Sequence, residues 1–388
     1  MYLLPGVLAD QLCLTGDFAA QAQQLMDSRT MTSQHPNVTR LLDDMRATLN
    51  KRWQDFEMIL HGSLDLGMGL TGASDVDLFV LMPINSSKVH SAVVFEAIDL
   101  LRQQPDLYSP DVRVTGLEWR PFFTFYHIPT QMYCDVGFGE EWYDSTGQLS
   151  HYFYNLDKHF LQLGKLIKMW CSAHELSGHF KADKMANYLW YLLTILYLQQ
   201  KNLAPPVYKL QKHSENATLD SWDRSFEPIP YAVRNNESLY QLLGGFFQYY
   251  SQFDFQNYIV SPFAGRPIHR SDFLNVDRIP DEFVVYKNIV GSDFTNSSTS
   301  NLRSPLYIQN PFVHDFNLAH QMTQDGVSKI VAHMKWAAKV YEEFPSDQFL
   351  AAILSPIQDE VVDDDERGEA VHKLQDVLYN NCNDSSLL

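Results

Sequence analysis

The stretch that decides the fold runs from His61 to Met82 and reads HGSLDLGMGLTGASDVDLFVLM. It follows one apolar run and ends in another, which predicts two strands, and the glycines between them predict a turn with close backbone approach. Asp75 and Asp77 lie two residues apart, so the two-residue repeat of a strand puts both carboxylates on one face. Because like charges repel at that distance, the pair favours a divalent cation such as Mg²⁺. The alternative is a solvated strand edge.

The order of these residues resembles a known family. Gly62-Ser63, a glycine-rich spacer and Ser74-Asp75-x-Asp77 are similar to the motif of the DNA polymerase β-type nucleotidyltransferases. The resemblance implies that Gly62, Ser63 and Ser74 contact the triphosphate of a nucleotide. It also implies that Asp75 and Asp77 bind two Mg²⁺ ions, for which Mn²⁺ can substitute.

A third carboxylate follows in a strand-like run at residues 131–138. Asp135 stands there between apolar residues, and such an aspartate costs stability unless it is paired or bound to a metal. Polymerase β-like folds carry a third metal-binding carboxylate on a neighbouring strand, and Asp135 matches it in type and order. The resemblance therefore adds Asp135 to the catalytic, metal-binding set. The alternative is a hydrogen-bonded core aspartate.

From about residue 148 the sequence predicts helices. Residues 149–174 predict one long amphipathic helix, with Lys165 and Lys168 one turn apart as candidates for binding phosphate. A solvated helix face is the alternative, above all for Lys165. Residues 167–170, IKMW, are similar to the hydrophobic-Lys-x-Trp motif of the family, although Ser172 stands where a second basic residue is usual.

Asn187-Tyr188 opens the next predicted helix and resembles the Ser-Tyr of template-independent RNA nucleotidyltransferases. The resemblance implies that Tyr188 stacks on the base of the incoming nucleotide, and a core tyrosine is the alternative.

Ser145 and Thr146 lie where relatives often have Asn, and the resemblance therefore implies that they lie near the ribose 2′-hydroxyl. Residues 238–255 resemble a helix of the poly(A) polymerase-associated domain.

Residues 308–319, IQNPFVHDFNLA, resemble the nucleotide-recognition motif of the same family. Asn310 replaces the usual Asp and Val313 the usual Glu, and Phe316 stands where a His often precedes the Asn. The groups that help to read the base edge are therefore altered. Asn310 and Asp315 are the candidates that compensate.

Together these resemblances imply an α+β protein. They predict a polymerase β-like nucleotidyltransferase domain, a mixed sheet with helices, plus a mostly helical poly(A) polymerase-associated domain, with the active site in the cleft between them. The predicted boundaries are residues 45–147 for the first domain and residues 1–44 with 148–388 for the second. An elaboration is expected at residues 266–305.

The motifs are most similar to those of terminal uridylyltransferases and non-canonical poly(A) polymerases. The short chain is similar to the small terminal uridylyltransferases of kinetoplastid mitochondria, the minor editosome-associated kind in particular. The resemblance implies transfer of UMP from UTP to an RNA 3′-hydroxyl, uridine-insertion editing, a mitochondrial location and protein partners in an editing complex, with neither DNA nor a membrane as partner. An ATP-using poly(A) polymerase and a non-catalytic adaptor are the alternatives.

The composition is that of a folded, strongly acidic protein. The 388 residues suggest two domains, with three as the alternative, and 45% hydrophobic residues are enough for real cores. The formal net charge of −18 is unusual for an enzyme that acts on nucleic acid, because affinity for phosphate normally comes from basic surface. It favours a weak grip on RNA, or a protein partner that brings the RNA.

The four cysteines are widely spaced and form no Cys-x-x-Cys motif, which argues against a zinc site or a disulfide framework and favours a reducing compartment. No run of about 18 apolar residues occurs, so no membrane span is expected. Residues 1–18 contain no Lys or Arg, and we expect neither a signal peptide nor a transit peptide there.

Overall fold

The computed structural model describes residues 14–82, 90–117, 120–139, 145–178, 183–211, 222, 225–290 and 301–355. Within these residues the chain divides into two units. Residues 27–151 form the first unit, and residues 14–26 join residues 152–355 in the second.

Most strands of the described residues lie in the first unit and most helices in the second. The strands are β1 (Thr30–Met31), β2 (Glu57–His61), β3 (Gly69–Leu70), β4 (Val76–Leu81), β5 (Arg113–Leu117), β6 (Arg120–His127), β7 (Met132–Gly139), β8 (Tyr258–Ile259) and β9 (Ile268–His269). The helices are α1 (Phe18–Arg29), α2 (Pro36–Leu49), α3 (Gly62–Asp65), α4 (His90–Arg102), α5 (Ser145–Asn155), α6 (Lys158–Ala173), α7 (Asn187–Gln200), α8 (Leu239–Ser251), α9 (Val284–Val290), α10 (Gln324–Glu343) and α11 (Ser346–Leu354).

A five-stranded mixed sheet is the centre of the first unit. Its order is β2-β4-β7-β6-β5, with β4 parallel to β7 and every other neighbouring pair antiparallel. Beside it, β1 pairs with β3. This short pair and the single turn of α3 lie in or beside the glycine-rich stretch, which the sequence alone predicts only as a turn.

The alternation of residues along β7 separates a core face from a polar face. Met132, Cys134, Val136 and Phe138 are buried in the hydrophobic core, and Asp135 between them points to the opposite face. Helices α2 and α4 and strands β4 and β6 contribute further apolar side chains to this core. The opposite, polar face of the sheet is therefore the face that can carry catalytic side chains.

Helix α2 corrects the predicted domain boundary. Its side chains Val38, Leu41 and Met45 are fully buried and share one core with Val76 of the sheet. Residues 27–44 therefore lie in the first unit, not with the helical domain as predicted, because the apolar stripe of α2 finds its partner on the sheet. The second unit resumes at residue 152, not 148.

The single long helix predicted at residues 149–174 is wrong. α5 ends at Asn155 and α6 begins at Lys158, because the side chain of Asp157 accepts a hydrogen bond from the backbone N–H of His159 at 2.8 Å and so caps a new helix. The sequence also predicts a turn at residues 85–87, a solvated acidic run at residues 359–369 and a last helix at residues 369–378, and all three lie outside the described residues.

Helices α7 and α8 are central to the second unit. Every residue of α7 from Leu189 to Gln199 is buried, so neighbours enclose the helix on all sides. The hydroxyl of Tyr250 on α8 donates to the carbonyl of Leu193 at 2.7 Å. A Cβ at Gly244 of α8 would lie 2.1 Å from the ring of Tyr341 on α10, so these two helices pack at close range.

The chain enters the second unit twice. Gln21 of α1 donates a side-chain hydrogen bond to the carbonyl of Asp347, 326 residues later, at 2.6 Å. The ring of Phe18 also packs edge-on against Tyr240, with 5.2 Å between the ring centroids. None of the helices that the structure describes is long and apolar enough to cross a membrane.

Two histidines of the second unit are buried. Burial lowers the pKa of His174 to about 4, although its Nε2 lies 2.6 Å from the carbonyl of Ile353. Burial lowers the pKa of His314 to about 3, and its ring packs against Phe263 with 3.9 Å between centroids. Both are therefore neutral in the folded protein at neutral and mildly acidic pH.

We predict that the free energy of unfolding falls as the pH is lowered from 6.5 to 4. The unfolded chain protonates both histidines near pH 6.5, whereas the folded chain does so only near pH 4 at His174 and pH 3 at His314. Each histidine therefore destabilises the fold in this window by up to about 1.4 kcal/mol per pH unit, and contributes nothing above it.

Urea unfolding followed by tryptophan fluorescence at several pH values measures this dependence. The matched variant is His314→Phe, which suits the same aromatic surroundings. It should lose less free energy on acidification, by about 1.4 kcal/mol per pH unit. The same pH dependence in both proteins would contradict the assignment.

Candidate active site

Two of the predicted carboxylates are neighbours across the parallel pair. Asp77 of β4 and Asp135 of β7 are direct Cα partners, and neighbouring strands lie about 4.8 Å apart. Asp75 comes two residues before Asp77 and so faces the same side, because Val76 between them is buried in the core. The strand register therefore places Asp77 and Asp135 side by side on the polar face, with Asp75 two residues before Asp77 on the same face.

Gly62 sits against one of these carboxylates. Its φ is +71°, and a Cβ on it would lie 2.1 Å from Oδ2 of Asp77. Since His61 is the Cα partner of Asp77, the chain turns away from β2 directly beside this carboxylate. Only glycine fits both the conformation and the space. Ser63 follows in the single turn of α3.

Ser74 holds the turn that leads into β4. Its Oγ accepts a hydrogen bond from the amide of Leu70 at 2.8 Å, and its own amide donates to the carbonyl of Leu70 at 3.0 Å. The hydroxyl is buried one residue before Asp75. Ser74 therefore fixes the backbone position of the next residue, Asp75, which is the first of the three carboxylates.

Thr124 on β6 is a site residue that the sequence analysis missed. It is the Cα partner of Asp135, and its hydroxyl donates to Oδ1 of Asp135 at 2.5 Å. The hydrogen bond holds this carboxylate in one orientation. The signal was the single threonine inside the aromatic run FFTFY, but its partner becomes visible only once the register of β6 and β7 is known.

The charges of all three carboxylates affect the pKa of the Cys134 thiol. Burial raises its pKa well above the ordinary value, and the negative charges of Asp135, Asp77 and Asp75 raise it further. The side chain points into the core behind the carboxylates and stays protonated. This electrostatic coupling agrees with the register that places the three aspartates close together.

The donor set suits a hard divalent cation. Three carboxylates share one face, and the missing Cβ of Gly62 leaves a cradle beside Asp77. Such oxygen donors are the ligands that Mg²⁺ prefers. Among the described residues, no three His, Cys, Asp or Glu side chains lie close enough together to hold a metal ion as they stand. The fit therefore rests on the strand positions of the carboxylates and on the chemistry of their oxygens.

Ser145 and Thr146 begin α5 in the first unit. Ser145 is buried, and the carbonyl of Thr146 accepts from the hydroxyl of Ser150 at 2.9 Å. Further along the same helix, Nε2 of His151 lies 2.5 Å from Oδ2 of Asp65 on α3. The last contact was not predicted, and it ties α5 to the turn that carries Ser63.

The remaining candidates lie in the second unit. Lys165 and Lys168 are on α6, and Lys168 is only 4% exposed, which is uncommon because a buried ammonium is costly unless it is paired. Asn187 and Tyr188 are the first two residues of α7. The structure thus places each at the helix position that the sequence predicts.

Asn310 has a clear structural role in the altered recognition motif. Its side-chain oxygen accepts from the amides of Phe312 and Val313 at 2.9 and 3.1 Å, which is an Asx turn. Asp315 in the same loop is half-buried, and burial raises the pKa of its carboxyl. The oxygen of Asn310 that was expected to compensate at the base edge is therefore engaged within its own loop.

Asn317 closes this loop, a role that the sequence did not predict. Its side-chain oxygen accepts from the amides of Ile308 and Ala319 at 3.1 and 2.9 Å, and its Nδ2 donates to the carbonyl of Leu306 at 2.9 Å. The side chain is fully buried. It therefore determines the shape of the segment that resembles the recognition motif.

Two segments match known protein families. Residues 42–120 match the family described as "Nucleotidyltransferase domain", and residues 238–316 match "Cid1 family poly A polymerase". The first segment contains β4 with its Asp-x-Asp. The second segment contains α8 and ends at Phe316, within the loop that includes Asn310.

Curated relatives match over part of their length. The terminal uridylyltransferase cid1 of Schizosaccharomyces pombe is 27% identical over 229 residues, which are 54% of this chain and 52% of that protein. The human mitochondrial poly(A) RNA polymerase is 21% identical over 238 residues, 59% of this chain and 35% of that protein. The match therefore spans about half or less of these relatives.

Solved structures share the fold. A structure of mtPAP in complex with UTP has a TM-score of 0.70 at 21% identity and covers 90% of this chain and 75% of its own. A structure of the Cid1 poly(U) polymerase with 3′-dATP has a TM-score of 0.68 at 18% identity and covers 88% and 99%. The chain thus has a polymerase β-like nucleotidyltransferase domain and a poly(A) polymerase-associated domain, which confirms the predicted fold class.

We expect Gly62→Ala to weaken binding of Mn²⁺ by about 10- to 100-fold, the usual effect of disturbing a group beside a metal ligand. The added Cβ must displace the carboxylate of Asp77. Isothermal titration of the protein with Mn²⁺ measures the change.

Gly67→Ala is the matched control. Gly67 has a φ of +66° and nothing within 4 Å of the position of a Cβ, so both variants carry a similar backbone cost of about 1–2 kcal/mol. Only Gly62→Ala also meets the carboxylate. Equal Mn²⁺ affinity in the two variants would show that Asp77 is not a ligand.

Proposed function

We propose that the protein is an RNA nucleotidyltransferase that transfers a nucleotide from a ribonucleoside triphosphate, preferably UTP, to an RNA 3′-hydroxyl. The observation that carries the proposal is the pairing of Asp77 with Asp135 on parallel strands, with Asp75 on the same face. Gly62 and Ser63 turn directly beside Asp77, where the phosphates of a nucleotide would meet the carboxylates.

Asp75 and Asp77 would hold two Mg²⁺ ions between them, and Asp135 would hold the ion on the side of the attacking hydroxyl. The bound ions would supply charge stabilisation for the attacking and leaving oxygens of an in-line displacement. Mn²⁺ offers the same coordination to oxygen donors. The three carboxylates on one face and the close approach of Gly62 to the carboxylate of Asp77 support this assignment.

The chain itself contributes orientation. Thr124 donates a hydrogen bond to Oδ1 of Asp135 and so fixes the orientation of this carboxylate. Ser74 fixes the turn before Asp75 through Leu70. Placing groups in a near-attack geometry lowers the barrier because the entropy of alignment is lost on folding instead of during reaction.

The roles proposed for the other candidates follow the resemblance. Ser63, Ser74, Lys165 and Lys168 would contact phosphates, Ser145 and Thr146 the ribose, and Tyr188 the base by stacking, which is worth about 1–3 kcal/mol per base. Asn187, Asn310 and Asp315 would contribute to the nucleotide site. The exposed parts of Asn310 and Asp315 support such a role, although the oxygen of Asn310 also holds its loop.

Transfer of AMP from ATP is the second candidate. The relatives named above include both a terminal uridylyltransferase and a mitochondrial poly(A) RNA polymerase, and the loop around Asn310 carries neither of the usual acids. A mitochondrial location, a role in uridine-insertion editing and partners in an editing complex are proposed from the resemblance to the small kinetoplastid enzymes. A non-catalytic adaptor is the third candidate.

We predict that Asp135→Asn lowers the rate of nucleotide addition by about three orders of magnitude, because the charge stabilisation that a bound metal supplies is worth several kcal/mol. Extension of a labelled RNA primer with Mg²⁺ and UTP measures the rate. Asp99→Asn on α4 is the control, since this carboxylate is exposed and pairs with Arg102 of the same helix. Turnover retained in Asp135→Asn would refute the site.

The choice of nucleotide is tested by offering each of the four ribonucleoside triphosphates separately. We expect extension with UTP and little with the others. Extension with ATP alone would establish the adenylyltransferase instead. No extension with any nucleotide, together with no Mg²⁺-dependent binding of UTP, would favour the adaptor.

A further inference from the structure

A pair of tyrosines, one of them exposed, lies beside the carboxylates. Tyr126 of β6 and Tyr133 of β7 are Cα partners, and their ring centroids are 4.9 Å apart. Tyr133 is 41% exposed. It comes two residues before Asp135, so it projects from the same face about 6.7 Å along the strand.

The strand register defines the surroundings of this pair. One row of Cα partners crosses the whole sheet, from β2 to β5, and consists of His61, Asp77, Asp135, Thr124 and Arg113. The carboxylates occupy its middle. Gly62 and Ser63 lie at the β2 end, and Arg113 at the β5 end.

The two ends of this row are chemically different. The end at β2 offers glycine and serine to the phosphates of a nucleotide, as proposed above. The end at β6 and β5 offers a hydroxyl at Thr124, two aromatic rings and the guanidinium of Arg113, which is well exposed and pairs with Asp111 at 3.0 Å. In an in-line displacement the attacking hydroxyl comes from the side opposite the leaving group. With the phosphates at the β2 end, as proposed above, that side is the β6–β5 end.

We propose that Tyr133, supported by Tyr126, is the stacking platform for the last bases of the RNA acceptor strand, with Arg113 contacting its backbone. The proposal rests on the proposed function. Aromatic faces bind any base, whatever the sequence, and Arg113 stands about 10 Å from Asp135, two strands away, within reach of a neighbouring phosphate.

A purely structural role fits this pair less well. Cross-strand aromatic pairs stabilise sheets by packing, and packing alone does not account for the position of this pair. Tyr133 leaves two fifths of its surface exposed on the face that carries the carboxylates. In a chain with a net charge of −18, stacking also offers affinity for RNA that needs few cations.

The test uses the full chain and a short single-stranded oligouridine primer. Tyr133→Thr removes the ring but keeps a residue that favours strands, and Tyr133→Phe keeps the ring. We expect Tyr133→Thr to raise the KM for the primer by about 5- to 150-fold, the range that corresponds to stacking of one base, with the KM for UTP unchanged. Tyr133→Phe should behave like the unmodified protein.

Tyr258→Thr is the matched control, because Tyr258 is an exposed strand tyrosine that packs on His269 in the second unit. It should leave both constants unchanged. The proposal would be overturned if Tyr133→Thr left the KM for the primer unchanged, or if it raised the KM for the primer and the KM for UTP together. In either case, activity of the unmodified protein would still support the transfer reaction.

Direct binding separates the two proposals. Fluorescence anisotropy of a labelled primer, measured with Ca²⁺ in place of Mg²⁺, needs no catalysis. If the unmodified protein adds no nucleotide, the proposed function fails, and weaker primer binding by Tyr133→Thr than by Tyr133→Phe would still support the platform. Equal binding by the two variants would overturn it.

Discussion

The parallel pairing of β4 with β7 is the constraint on which the candidate site depends. It sets Asp77 opposite Asp135 and Val76 opposite Cys134, so one register decides both which carboxylates meet and which side chains enter the core. A slip by one residue would turn Asp135 into the core and Cys134 to the surface. The burial of Val76 and Cys134 therefore stabilises the same register that assembles the site.

Much of this arrangement could be predicted from the sequence. The Asp-x-Asp after a glycine-rich turn indicated a strand with two carboxylates on one face, and Asp135 stood out because it interrupts an apolar strand. These are local patterns, in which the two-residue repeat and the cost of burying a charge act within a few residues. The conformation of Gly62 likewise follows from a turn that begins directly after a strand.

Other features depend on long-range contacts and could not be predicted. Thr124 is meaningful only through its pairing with Asp135, and Tyr126 only through Tyr133. The placement of α2 in the first unit depends on which apolar surface its stripe meets. In the loop closed by Asn317, side chains bond to backbone groups up to eleven residues away, so similarity to a motif does not reveal which polar atoms remain available to a ligand.

The double entry of the chain into the second unit has a consequence for how the protein is made. Residues 27–151 are continuous, so the first unit can fold as soon as it has left the ribosome. The second unit must wait, because α1 is synthesised before the first unit and the carbonyl that Gln21 binds, that of Asp347, emerges 326 residues later. Until then the apolar residues of α1 and of the enclosed helix α7 lack the neighbours that cover them in the folded protein.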